Sequence, residues 1–420
     1  MSRRIFLLFF LLSGTVTSSF SGTGWYNARV LAMAGAGLSL DDQTVPANPA
    51  QLALHGEQRW KLSLMQIGGL AANDALRKDH YDRYNGAFLD EAAKKDLLNA
   101  IPATGLDFYG CVEAQPLALQ YGSFAFSMQL TAAVNGRLAK ETCELLLHGN
   151  ELDRVFHFKP LAGDGLVVSS YALSFGRSLP CPRSVVRHLG AGVSVKYLRG
   201  HVLEQIKDID AETVTRYTSL AAKGTAHWRR AQGGDGLGVD AGLTATILQH
   251  WRASLVVENA FGQITWNRTP EAGHAEFRVG SSTVERIVSD DLDFDEVVLT
   301  QDTTRAIAAF AERLPMLVRL GLGREFNNWR VAVELFRSSR KSAWAGDQTA
   351  LAAGVEYRAA RVVRLRAGAR LGDHLSPALT AGLGLVLGPM RWDVAVMPFA
   401  GLVPSRLKGV GLATGMTLQF

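Results

Sequence analysis

Alternation is the feature that most limits what this chain can fold into. Its last residues put Val410, Leu412, Thr414, Met416, Leu418 and Phe420 on one side, with Gly411, Ala413, Gly415, Thr417 and Gln419 on the other. Successive side chains of a strand point to opposite faces, so this segment reads as a strand with one apolar face. The pattern recurs upstream. Trp329, Val331, Val333 and Leu335 oppose Arg330, Ala332 and Glu334. Leu351, Ala353, Val355 and Tyr357 oppose Ala352, Gly354, Glu356 and Arg358. Leu365, Ala367, Ala369 and Leu371 oppose Arg364, Arg366, Gly368 and Arg370, and Trp392, Val394 and Val396 oppose Arg391, Asp393 and Ala395. Similar runs occupy 124–130, 167–175, 191–197, 239–247 and 255–261. A soluble sandwich also alternates, but it must pair its apolar faces between two sheets. One closed sheet with lipid outside satisfies every strand without edges or a second layer. The expected fold is therefore all-β, a transmembrane antiparallel β-barrel.

The bulk numbers agree. A chain of 420 residues is long enough for one large barrel or for two to three soluble domains. Its mean hydropathy of +0.06 is high for a soluble protein and far too low for a bundle of membrane helices. A barrel falls between, because only every second strand residue faces lipid. Glycine is abundant, at 42 residues against 13 prolines, and glycine lets strands bend and pack closely. A net charge of +5, with no basic run interleaved with aromatics, excludes a dedicated nucleic-acid surface. Cys111, Cys143 and Cys181 fit no zinc or redox spacing and read as inert thiols.

Residues 1–21 have the form of a secretory signal peptide. Arg3 and Arg4 precede an apolar run from Ile5 to Leu12, too short to span a membrane as a helix, and small or polar residues follow. Cleavage is expected near Ser18 to Ser21. No comparable apolar run of about 18 residues recurs, so no membrane helix is expected.

The stretch after it carries Met33, Gly35, Gly37, Asp41, Asp42, Asn48, Pro49, Ala50 and Leu52. This order resembles the N-terminal hatch of the FadL-like long-chain fatty acid transporters and of the related PorV-like outer-membrane proteins. Gly354, Glu356, Tyr357, Leu365, Arg366, Gly368, Arg370, Gly372, Asp373, Gly388, Pro389, Asp393, Pro398 and Phe399 resemble the PorV-like C-terminal half. An amphipathic strand ending on Phe420 is similar to the closing strand that the barrel-assembly machinery reads as a signal. The resemblance implies fourteen strands, a hatch-like N-terminal segment at 22–56, and a barrel at 57–420. It also implies a short helical insertion at about 88–101, stopped by Pro102. It places the protein in the bacterial outer membrane, in contact with outer-membrane lipid. Two functions follow from it: a passive channel or transporter for hydrophobic or amphipathic small molecules, or a non-enzymatic scaffold for a secretion or envelope-assembly partner. Closure should pair the last strand with the first, near Trp60 to Leu64.

The residues that could carry chemistry are charged ones on predicted inward faces. Glu334, Glu356, Arg358, Arg364, Arg366, Arg370, Arg391 and Asp393 must face the lumen, because an Arg facing lipid costs ~2–4 kcal/mol at the midplane. They either neutralise one another across neighbouring strands, or form a polar passage or a seat for the hatch through Asp41 and Asp42. The cluster of Asp290, Asp291, Asp293, Asp295 and Glu296 lacks the glycine of a calcium loop and reads as a solvated rim loop, with a divalent site shared with lipopolysaccharide as the sharper alternative. Residues 234–238 have a faint phosphate-loop look but precede a strand, so a hairpin turn is expected. No His-Glu-x-x-His spacing or other catalytic constellation stands out. No enzyme, metal or cofactor is expected.

Overall fold

The computed structural model describes residues 26–40, 47–54, 60–181, 185–217, 219–248, 250–283, 298–338, 348–372, 376–400 and 403–420. The predicted signal peptide, Asp41 and Asp42, and the cluster from Asp290 to Glu296 lie outside the described residues. In chain order the strands are β1 (Trp60–Asn73), β2 (Leu106–Tyr121), β3 (Phe124–Leu138), β4 (Val155–His157), β5 (Ala162–Leu179), β6 (Val186–Thr215), β7 (Ser219–Ala231), β8 (Gly234–Ile247), β9 (Trp251–Trp266) and β10 (Glu271–Thr283). They continue with β11 (Val298–Ala306), β12 (Phe310–Arg313), β13 (Leu317–Phe326), β14 (Trp329–Ser338), β15 (Gln348–Arg358), β16 (Val363–Leu371), β17 (Ala378–Leu387), β18 (Met390–Phe399) and β19 (Gly409–Gln419).

Every pairing between these strands is antiparallel, and fourteen of them close a ring in the order β1-β2-β3-β5-β6-β8-β9-β13-β14-β15-β16-β17-β18-β19. β19 returns to β1, with Leu62 opposite Leu418 and Lys61 opposite Gln419. The Phe420 amide donates to the Trp60 carbonyl at 3.1 Å. The expected closure at residues 60–64 is therefore the one observed, and no ring strand keeps an open edge. No described helix is long and apolar enough to cross a membrane; the crossing elements are strands.

The alternation resolves into an outside and an inside. Leu173, Val195, Leu237, Leu322, Leu351, Leu365, Leu383, Val396 and Leu412 all face outward and are exposed. A belt of this kind far exceeds the few hundred Å² of contiguous apolar surface a soluble monomer carries, and lipid is the solvent it fits. The two ends of the ring differ. At one end, called here the turn end, Gly122–Ser123, Asn327–Asn328 and Gly388–Pro389 are two-residue links between strands. Aromatic cross-strand partners collect there: Trp60 with Tyr121, Phe124 with Phe175, and Trp329 with Tyr357, their ring centres 4.6, 4.9 and 4.4 Å apart. This is the aromatic girdle of a membrane barrel, which sits at the lipid headgroups.

The other end, the loop end, carries everything else. β6 has 30 residues, roughly 100 Å of strand at about 3.3 Å per residue, several times the hydrocarbon thickness. Its first half pairs with β8 in the ring; beyond a register slip at His201 its second half pairs with β7. β7 pairs with β10 and β10 with β11, building a sheet outside the ring, with β4 on the end of β6. The end of β6, β7 and β10 therefore belong to this sheet and not to the fourteen-strand ring. Three helices cap the same end: α2 (Lys78–Tyr84), α3 (Glu91–Ala100) and α4 (Lys140–His148), numbered after the N-terminal α1 described below. The Asp90 side chain caps α3 by accepting from Ala93 N at 2.8 Å, and Ile101 ends it, in agreement with the expected insertion. α2 has no apolar periodicity; the Lys78 amide donates to Leu407 O at 2.7 Å, a tertiary contact no local pattern announces. Residues 234–238 are the first residues of β8 rather than a turn.

Candidate functional site

The inward face of the ring is occupied. Helix α1 (Ala28–Ala32) is short, and its first turn is held by Asn27, whose Oδ1 accepts from the Val30 amide at 3.1 Å. All five of its residues are buried. Ala34 and Gly35 both adopt positive φ and turn the chain, and two 3₁₀ turns follow at Leu38–Leu40 and Pro49–Leu54. α1 packs against β16 to β19 and β1, the first 3₁₀ turn against β9, β13 and β14, and the second against β5, β6 and β8. The described N-terminal residues therefore touch wall sectors on opposite sides of the lumen.

Glycine makes this approach possible. Gly176, Gly192 and Gly242 are register neighbours on β5, β6 and β8. A methyl group on them would lie 2.6 Å from Pro49 O, 2.3 Å from Pro49 C and 1.9 Å from Asn48 Oδ1. Gly354 and Gly368, paired across β15 and β16, would meet Met33 at 2.6 and 2.5 Å. No other residue type permits such contacts. Asn48, Pro49, Ala50 and Met33, singled out by the sequence, thus rest on glycines of the wall. Gly37 packs inside the segment against Val30, and Gly35 lies under the Phe336 ring and Arg370.

Polar ties run beside these seats. Asn48 Nδ2 donates to Leu243 O at 2.8 Å and Leu255 O at 3.2 Å. The Leu38 amide donates to Glu334 at 3.0 Å, and Thr380 Oγ1 to Ala32 O at 2.7 Å. Of the predicted lumen charges, four form one cluster, with Glu356 and Arg366 buried and Arg391 and Asp393 part-buried. Glu356 receives Arg366 at 2.6 Å, Arg330 at 3.2 Å and Arg29 of α1 at 3.1 Å. Arg366 also reaches Asp393 at 2.7 Å, and Arg391 meets Asp393 at 2.9 Å. Glu334 belongs to a second cluster around Arg319, which pairs with Glu334 at 2.6 Å and Glu258 at 3.0 Å and donates to Gly35 O at 3.3 Å. Arg370 is buried with its guanidinium 4.4 Å from the Phe336 ring centre, a cation–π contact. Arg358 and Arg364 stand opposite each other at the turn end, where Arg364 caps the Ala360 carbonyl at 2.8 Å.

Sequence reasoning passed over Arg319, Glu258 and Arg29. The signal for Arg319 was present: Arg319, Gly321 and Gly323 alternate with Val318, Leu320 and Leu322. A third group, Lys196 with Asp240 at 2.6 Å and with Asn259 at 2.7 Å, depends on a slip in register between β8 and β9, which period two does not reveal.

Polarity is graded along two inward faces of the wall. From the turn end, the inward residues of β18 run Arg391, Asp393, Ala395, Met397, Phe399, and those of β15 run Glu356, Gly354, Ala352, Ala350. On these two strands the charges collect toward the turn end, while elsewhere Arg370, Asp164 and the Arg137–Asp107 pair stand toward the loop end. Toward the loop end Leu31, Leu70, Cys111, Met397 and Phe399 form one apolar cluster, and Leu198, Leu203, Ile264 and Trp266 another. A small cavity of about 20 Å³ lies beside α1, lined by Asn27, Arg29, Gln66, Arg391, Asp393 and Thr417 among others. Among the described residues no group of three or more His, Cys, Asp or Glu is placed to hold a metal ion.

Solved structures share the overall fold of this chain. The TodX monoaromatic hydrocarbon channel, as its deltaS2 mutant, superposes with a TM-score of 0.55 at 13% identity, covering 95% of this chain and 99% of that one. The toluene transporter TodX of P. putida gives 0.54 at 14% identity over 94% and 98%. The toluene transporter TbuX of Ralstonia pickettii gives 0.52 at 14% identity over 94% and 98%. This chain has the fold of the toluene channels. At such identities the likeness extends to fold, and side chains must be argued from this chain alone. No family model and no curated protein matches it.

Proposed function

We propose that the protein is an outer-membrane channel that passively moves hydrophobic or amphipathic small molecules. The observation that carries this reading is the lumen: a closed, lipid-facing ring encloses an N-terminal segment, with two large apolar clusters among the inward residues beside its charges. A water-filled porin lumen would be polar throughout. The toluene channels of the same fold support the solute class. In this reading residues 22–56 act as the hatch, with Met33, Gly35, Gly37, Asp41, Asp42, Asn48, Pro49 and Ala50 as its marks, and the lumen charges hold it. The turn end, which carries the last residue and the short links, faces the periplasm, and the loop end faces outward. Outer-membrane lipid covers the apolar belt, and Phe420 presents the closing strand to the barrel-assembly machinery. No catalytic step is assigned.

The test is uptake into liposomes carrying the purified protein, with radiolabelled toluene and oleate as probes. Uptake above that of protein-free liposomes for either probe is expected. Its absence for both, with a large partner co-purifying from the envelope, would replace the channel with the scaffold reading.

A further inference from the structure

We propose that the outer sheet at the loop end carries a binding site for a divalent transition-metal ion, held by the imidazoles of His227 and His274. The site stands outside the fourteen-strand ring and is independent of what the ring conducts.

His227 on β7 and His274 on β10 are direct register partners. Side chains opposite each other in an antiparallel pair share a face. The two rings lie 4.4 Å apart, centre to centre, with their planes at 26°. Nitrogens that bind one ion at ~2.0–2.1 Å stand no more than ~4 Å apart. Rings at this spacing meet that limit with small rotations about their side-chain bonds. Among the described residues neither ring takes part in a hydrogen bond or an ion pair. By contrast His80, His148, His157, His188 and His201 each have a polar side-chain partner. His274 Nδ1 is enclosed and has no hydrogen-bond partner, which is rare for a buried polar atom. His227 is exposed, so ions reach the pair from solvent.

The backbone sets what surrounds the pair. Ile206 of β6 stands opposite Trp228, so an unbroken ladder would put Lys207 opposite His227. The register slips there and puts Asp208 opposite it instead. A bulge re-aims side chains in this way. Here it exchanges an ammonium for a carboxylate beside the imidazoles. Asp208 is held loosely: Lys159 stands 3.8 Å from it and 3.3 Å from Asp210. Asp210 and Glu276 share the face one row further on, both opposite Thr225. Arg229, on the same face in the other direction, is engaged by Gln205 and Glu312. On the opposite face a methyl on Gly273 would lie 2.1 Å from Trp228, and one on Gly224 2.5 Å from Phe277. These rings lie across β7 and β10 and hold the two strands together, which leaves the polar face to the histidines.

Imidazole nitrogen suits copper, zinc and nickel, whereas magnesium and calcium take oxygen. Two rings supply two ligands, water completes the set, and Asp208 contributes charge nearby. An ion held this way bridges β7 and β10.

The test uses the full-length protein in detergent, with Cu²⁺ as probe and Mg²⁺ as control. At one equivalent of Cu²⁺, electron paramagnetic resonance is expected to show two imidazole nitrogens on the ion. His227→Gln and His274→Gln should each weaken the tightest site by at least ten-fold in titration calorimetry and leave one imidazole nitrogen. Asp208→Asn should weaken it at least two-fold; unchanged affinity would overturn the part given to the register slip. Amide exchange in β7 and β10 should slow with Cu²⁺ in the unmodified protein and in neither histidine variant, and the metal-free exchange of each variant reports whether its outer sheet is intact. Affinity within two-fold of the unmodified protein in both histidine variants, or Mg²⁺ binding as tightly as Cu²⁺, would overturn the site.

Discussion

Arg319 shows what a single residue does in this lumen. It is 1% exposed and holds two carboxylates and a carbonyl of the N-terminal segment at once. Burying an ion pair gains little over packing apolar groups, but removing one partner leaves uncompensated charge, which costs about 3–5 kcal/mol. Arg319→Met leaves Glu258 and Glu334 without that partner and should lower the free energy of unfolding in lipid bilayers, read from a urea titration, by an amount of this order. Glu334→Gln together with Arg319→Met should recover part of the loss, because one charge fewer is then stranded. Phe420 sits at the opposite extreme. It is 67% exposed, and its amide completes the seam at Trp60, yet its ring packs little. Deleting Phe420 should cut the yield of inserted barrel in cells while leaving uptake per folded molecule unchanged; normal yield would remove its role as an assembly signal.

Among the elements, the loop-end cap is held by local electrostatics as well as packing. Arg154 donates to both oxygens of Glu144 on α4 at 2.7 Å and stacks over Phe156 of β4 at 4.5 Å. The guanidinium beside it, with burial opposing weakly, holds the Glu144 carboxyl below its ordinary range. A depressed folded-state pKa means stability that is present above the unfolded value, near 4.3, and is lost as pH falls through the folded value. The pair is part-exposed, so its worth is about 1 kcal/mol or less. Hydrogen-exchange protection factors of α4 and β4, corrected for intrinsic rates, should fall below pH ~4, and Glu144→Gln should flatten that dependence. α3 was anticipated from the resemblance, with Pro102 as the local signal that stops it. α2 and the outer sheet were not: α2 depends on residues near Leu407, and the second half of β6 alternates like a barrel strand although it pairs outside the ring.

For the whole molecule, lipid is the agent that sorts the faces. Leu383, on β17, faces outward beside Leu365 and Val394, its register partners. Leu383→Arg should destabilise the barrel in bilayers by ~2–4 kcal/mol, as expected near the midplane, and less in detergent. An equal penalty in both media would mean the belt is not a lipid surface. The sequence by itself determined the strand faces, the barrel, its closure from β19 to β1 and the inward aim of Glu356, Arg366 and Asp393, because period two and lipid contact act residue by residue. Tertiary structure decided the rest. It brought Arg29 to Glu356, which lie 327 residues apart, and laid Asn48 and Pro49 on glycines of three different strands. In a strand pattern those glycines read only as small inward residues. They became a seat because the ring closed around the N-terminal segment, and ring closure depends on all fourteen strands together.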